Sequence, residues 1–148
     1  MAKSILTVDD RHATFNDVDL LLVMRMVLSS LREQGGDELV SIEEEWQRAL
    51  DTHATGVIDL PLQKYANDEY VGMSLISHLS DLESSLIAYG DEVPLSHLKK
   101  HCKIPGVVFE GPYPTCHVVA AVRSLRGLIQ AASGKGTTSV PGLEKLGS

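Results

Sequence analysis

The sequence predicts an α/β fold, a five-stranded parallel sheet with helices on both faces. Two observations lead there. Short apolar runs of strand length alternate with segments whose apolar residues recur at helical spacing, the pattern of parallel strands joined by crossover helices. Two of those runs also end in carboxylates: Ser4-Ile5-Leu6-Thr7-Val8 leads into Asp9-Asp10, and Gly56-Val57-Ile58-Asp59-Leu60 carries Asp59. In an open α/β sheet the C-terminal strand ends form the crevice that holds ligands.

Each element has its own warrant. After the first strand comes a polar stretch, Arg11 to Asn16. Asn16 then serves as N-cap, and Asp17 and Asp19 sit in a first turn where the helix dipole favours negative charge. Leu21, Met24, Leu28 and Leu31 follow at helical spacing, and Gly35-Gly36 closes the helix. Glu38-Leu39-Val40 is read as the second strand. Ser41-Ile42-Glu43-Glu44 then opens a helix as a capping box and carries Trp46, Ala49 and Leu50 inward. The third strand holds Asp59. A long loop with Pro61, Asn67 and Asp68 precedes a helix through Val71, Leu75, Ile76, Leu79 and Leu82.

Leu86-Ile87-Ala88-Tyr89 reads as a weak fourth strand stopped by Gly90-Asp91, and Leu95 to Cys102 as a short helix. Gly106-Val107-Val108-Phe109 reads as the fifth strand. Pro112 and Pro114 bar further pairing, and Thr115 caps a last helix presenting Val118, Val119, Val122, Leu125 and Ile129. From Ser133 the composition turns to Gly, Ser, Thr and Pro. The expected organisation is one domain over 1–132 and a flexible tail over 133–148.

Composition narrows the function classes. The chain has 148 residues, 43% hydrophobic and 22% charged, with a formal net charge of −7, enough for a single substantial core. An acidic surface disfavours a nucleic-acid backbone as direct partner, because that contact needs clustered Lys and Arg. The first residues carry Asp9, Asp10, Arg11 and His12 where a secretory signal needs an apolar stretch, and no run reaches spanning length, so a cytoplasmic, non-membrane chain is expected. Cys102 and Cys116 are too few for a disulfide framework and read as thiols.

The carboxylates suggest chemistry. Asp9, Asp10 and Asp59 brought together would repel one another unless a hard cation or a shared proton intervened, which points to a Mg2+ site. A second constellation is His97, His101 and Cys102 with Cys116-His117, from which a zinc site could be assembled, although it lacks a recognised ligand pair. Glu83 or Glu92 beside a histidine could suggest hydrolysis, but no nucleophile motif is present, and both read more simply as solvated carboxylates.

Taken in order, the five β/α units resemble the receiver domain of two-component response regulators, over about residues 3 to 131. Ser4 to Asp10 is similar to that family's first strand with its acidic pair, and Val57-Ile58-Asp59-Leu60 to its phosphoacceptor strand. Asp68 to Ile76 is similar to the start of its third helix, Ile87 to Glu92 to its fourth strand and loop, and Gly106 to Tyr113 to its fifth. The resemblance implies the flavodoxin-like (βα)5 fold and a signalling switch rather than an enzyme. In that switch a sensor histidine kinase or phosphotransfer protein phosphorylates Asp59, while Asp9, Asp10, Asp59 and the carbonyl of Pro61 hold Mg2+.

The chain departs from the family by an insertion, with Arg11 to Asn16 implied to extend beside the pocket as a surface loop or a lid, and at two switch positions. Gly111 stands where the family has lysine, and Ile87 where it has Thr or Ser. These losses remove a charge partner for the phosphoryl group and the hydroxyl that reports phosphorylation, so an atypical receiver is implied. As in the family, a downstream protein target or a homodimer would use the face carrying Leu95, Leu98, His101, Tyr113, Val118 and Val122. With no output domain fitting in the tail, the chain would act as a single-domain regulator. The alternative is a degenerate pseudo-receiver, or an acidic protein–protein interaction module that works without phosphorylation.

Overall fold

Six helices and five short strands make up the described residues of the computed structural model, 3–34, 39–53, 58–132 and 143–145. The chain opens with a hairpin of β1 (Lys3–Val8) and β2 (Arg11–Asn16), paired antiparallel from Lys3↔Asn16 to Val8↔Arg11. β5 (Leu143–Lys145) adds to the other edge of β2, again antiparallel. Between them come α1 (Asp17–Gln34), α2 (Val40–Thr52), α3 (Leu62–Asn67), α4 (Glu69–Ile87), β3 (Glu92–Val93), α5 (Leu95–His101), β4 (Tyr113–Pro114) and α6 (Thr115–Ala132). β3 and β4 form a second antiparallel pair.

The expected five-stranded parallel sheet is therefore corrected: every strand pairing here is antiparallel, and helices build the core. Each misread run has a physical reason. Leu86 and Ile87 are the last turn of α4, and Gly90 at φ 82 follows, its amide bonded to the Ile87 carbonyl at 3.1 Å. Val40 is the first residue of α2. Ile58 and Leu60 are buried on either side of exposed Asp59, yet 58–60 pairs with no strand; residues 54–57 lie outside the described part. At Gly106–Phe109 a single bridge, Ile104↔Val107, stands in place of a strand. A run of about four apolar residues fits a helix turn or a packed irregular segment as well as a strand. Arg11–Asn16, expected as a loop or lid, is β2, with Ala13 and Phe15 buried and Thr14 exposed between them.

The helices agree better with their sequence signals. Asn16 Oδ1 accepts from the Val18 amide at 3.0 Å, ordering the start of α1. In α1, Leu20 to Met24 are buried consecutively, so this stretch of the helix is covered on all sides, by α2, α4, α6 and β2. Asp68 caps α4 by accepting from the Val71 amide at 3.1 Å. The last helix begins at Thr115 and its five named apolar residues are buried, but the expected Thr115 cap is corrected: Thr115 is the first residue inside the helix and its buried hydroxyl accepts no capping bond. α4 and α6 pack along each other, held outside by Glu83, which accepts from Arg126 at 2.7 Å and also from Arg123. Burial pushes the Glu83 carboxyl up, but the two guanidinium partners outweigh it and hold it below its ordinary range. Where a flexible tail was expected, Leu143–Lys145 pairs with Arg11–Ala13.

The β1–β2 turn gives a direct test of backbone strain. Asp9 has φ 54, a left-handed conformation that side chains other than Gly, Asn and Asp rarely adopt. Its amide donates to Gln63 Oε1 at 2.6 Å, and its carboxylate accepts from Gln63 Nε2 at 3.0 Å. In urea titrations Asp9→Val is expected to lower stability by about 1–2 kcal/mol. Asp9→Gly should cost less, because glycine adopts this φ without strain while losing only the exposed side-chain bond.

Candidate functional site

The sequence-predicted site residues do not gather. Asp9 and Asp10 form the hairpin turn, and both are exposed. Asp59 is exposed in the segment that runs along β1 toward α3. The Ile58 amide lies 3.4 Å from Ser4 Oγ at the start of β1, whereas Gln63 bonds Asp9 just beyond its end. Those two anchor points are separated by about 17 Å of strand. Pro61 stands at the N-cap of α3, Ile87 is exposed at the end of α4, and Gly111 lies in a bend before β4. Among the described residues, no three or more His, Cys, Asp or Glu side chains are arranged to hold a metal ion.

The zinc constellation divides in two. His97, His101 and Cys102 border a hollow beside α5, while Cys116 and His117 border another with Asp19 at the start of α6. Of the six residues expected as a signalling face, Leu98, Val118 and Val122 are core, and Tyr113 donates its hydroxyl to Asp19.

What the fold does build is a groove along α4. One hollow of about 390 Å3 lies between α1, α4 and α5, bordered by Met26, Ser30, Glu33, His78, Asp81, Leu82, Tyr89 and His97 among others. A second, of about 190 Å3, continues toward the start of α4 past Leu39, Tyr70, Ser74 and Ser77. Gln34, His78 and Asp81 border both, so the two hollows adjoin along one face of α4 and together make the groove. That face extends from Tyr70 to Tyr89, roughly 28 Å at the helical rise. Both tyrosines are exposed, Tyr70 at 56% and Tyr89 at 39%. Buried Leu39 and Leu86 and half-buried Met26 and Leu82 supply the apolar lining. Glu33 from α1 and Asp81 from α4 supply negative charge.

The polar groups of the groove are tied into the helices. Ser30 Oγ and His78 Nδ1 are 2.7 Å apart and join α1 to α4. That distance would suit a nucleophile and base, but Ser30 sits inside a helix, where the surrounding amides are committed to backbone bonds rather than to an oxyanion. The pair is read as an interhelical tie. At the far end Tyr89 Oη is 3.2 Å from His97 Nδ1, and the His97 and His101 ring centroids lie 4.9 Å apart with the planes tilted by 41°. Burial, and then the neighbouring His101, holds the His97 imidazole below its ordinary range.

A larger hollow, about 460 Å3, lies on the outer face of α2 by Arg32, Glu43, Glu44, Gln47, Arg48 and Asp51. Its polar groups answer one another: Arg32 donates to Gln47 at 2.7 Å, and Gln47 to Asp51 at 3.0 Å. It also lacks the aromatic ends that distinguish the α4 groove, and such aromatic anchors dominate binding energy at protein interfaces.

The two thiols differ in a measurable way. Cys102 borders the groove but is 1% exposed, and burial pushes its thiol up to about 11, with Arg25 opposing. Cys116 is exposed in the first turn of α6. Ellman's reagent is expected to modify Cys116 rapidly and Cys102 only on unfolding, since the thiolate is the reactive form. Rapid modification of both would show that the α5 wall opens readily.

The groove was not visible in the sequence, because its residues come from three distant helices. Exposed Tyr70 and Tyr89 mark its two ends once the helix is folded. No helix among the described residues is long and apolar enough to cross a membrane. No protein-family model, curated protein or solved structure matches the chain.

Proposed function

We propose that this chain is an acidic protein–protein interaction module that works without aspartyl phosphorylation and receives a partner along the α4 groove. The observation that carries the reading is the adjoining pair of hollows along one face of α4, flanked by two exposed tyrosines. Tyr is enriched at interfaces because it offers a large, stiff apolar body with a polar tip. The net charge of −7 favours a basic partner and speeds its approach.

The phosphorelay reading drew its geometry from a parallel sheet whose edge would gather Asp9, Asp10 and Asp59 around Mg2+. Here β1 turns back into β2 and Asp9 bonds Gln63, which favours the module that works without phosphorylation.

Photo-crosslinking tests the proposal. A benzophenone side chain at Ser77, in the groove, should capture a discrete protein partner in cells that make the chain, whereas the same probe at Glu44 on α2 should not. Adducts from Glu44 alone, or equal labelling from both positions, would overturn the assignment.

A further inference from the structure

We infer that the occupant of the α4 groove is a basic amphipathic helix of a different protein, an inference that rests on the groove being the binding site. Three features of the groove select this occupant. Its length, roughly 28 Å, matches a helix of about 18 residues. Its walls are helices and present side chains, so they suit an apolar helix stripe; an added strand would need a free backbone edge. The carboxylates Glu33 and Asp81 come from different walls, α1 and α4, so a helix lying between them meets negative charge on both flanks. Lys99 and Lys100 are exposed on α5 but do not line the groove. A second copy of this chain, itself at −7, would meet like charge instead.

In this arrangement Tyr70 and Tyr89 anchor the two ends, and Leu82 and Met26 receive apolar residues between them. Lysines or arginines on the flanks of the occupant face Glu33 and Asp81. Because those pairs lie at the rim, they choose the partner's sign more than they add affinity, and salt should weaken them.

The test uses two synthetic amphipathic probes of about 18 residues, one of leucine and lysine and one of leucine and glutamate, followed by fluorescence anisotropy and amide chemical shifts. The Leu/Lys probe should bind about tenfold or more tighter than the Leu/Glu probe, a preference of at least 1.4 kcal/mol. Shifts should concentrate on Met26–Gln34 and Tyr70–Tyr89. Glu33→Lys with Asp81→Lys should erase the preference, whereas Asp59→Lys with Glu110→Lys, which change the net charge equally, should leave it in place. If groove amides shift but both probes bind equally, the basic helix is wrong and the groove stands. If the shifts fall on α2 and α3, the groove itself is wrong. Loss of preference in both double variants alike would reduce the effect to bulk charge and overturn the inference.

Discussion

Trp46→Ala is expected to destabilise the protein by about 3–5 kcal/mol, the cost of emptying a large buried site. Trp46 is fully buried on α2, and its indole nitrogen donates to Tyr65 Oη at 3.1 Å on α3. Tyr65 in turn donates to Glu45 at 3.3 Å, and Glu45 accepts from Lys64 at 3.2 Å, so one side chain fixes how α2 and α3 meet. Burial first, and then Glu45, pushes the Tyr65 hydroxyl far above its ordinary range, which keeps it a neutral donor. Trp46→Phe should cost less, because most of the volume stays and Tyr65 keeps its bond to Glu45. Urea denaturation followed by circular dichroism measures both variants, and a loss under about 1 kcal/mol for the alanine variant would mean that the α2–α3 contact is not part of the cooperative core.

The second large effect concerns Gly72, where α4 approaches α3 and α6 closely. A Cβ at this position would lie 3.3 Å from the Tyr65 carbonyl oxygen and 3.7 Å from the Ile129 side chain. Gly72→Leu should therefore destabilise by about 3 kcal/mol, at the upper end for overpacking, because the nearest atom is backbone and cannot swing aside. Gly72→Ala is a finer test. The tight contact opposes a helix-propensity gain of about 1 kcal/mol, and near-neutrality is expected. Thermal melts showing Gly72→Leu as stable as the parent would contradict this packing of α3, α4 and α6.

Amphipathic periodicity identified the helices well. Apolar spacing located α1, α4 and α6, Asn16 and Thr115 marked the starts of α1 and α6, and Trp46 and Leu50 point inward as their spacing implies. These signals are local, so tertiary context had little to change. The strands are less legible, because a run of about four apolar residues fits a helix turn as well as a sheet, whereas β2 alternates only through Ala13 and Phe15 within a largely polar run. The pair Asp9-Asp10 between Val8 and Arg11 was a hairpin signal, a turn residue tolerant of positive φ between two strand-forming runs. A carboxylate pair after an apolar run fits the end of a parallel strand as well as a turn, and here it is the turn that reverses β1 into β2. The groove could not be read from sequence at all, since Glu33, Asp81 and His97 become neighbours only when α1, α4 and α5 pack.

Calorimetry with the partner captured from Ser77 tests the central claim most directly. Tyr70→Ala and Tyr89→Ala should each weaken binding by about tenfold or more, as loss of an interface anchor does. Val108→Ala, at the most exposed of the large apolar side chains and outside the groove, should leave it unchanged. Undiminished affinity in both tyrosine variants, together with loss of binding in Glu44→Lys on α2, would contradict the account and move the binding surface off α4.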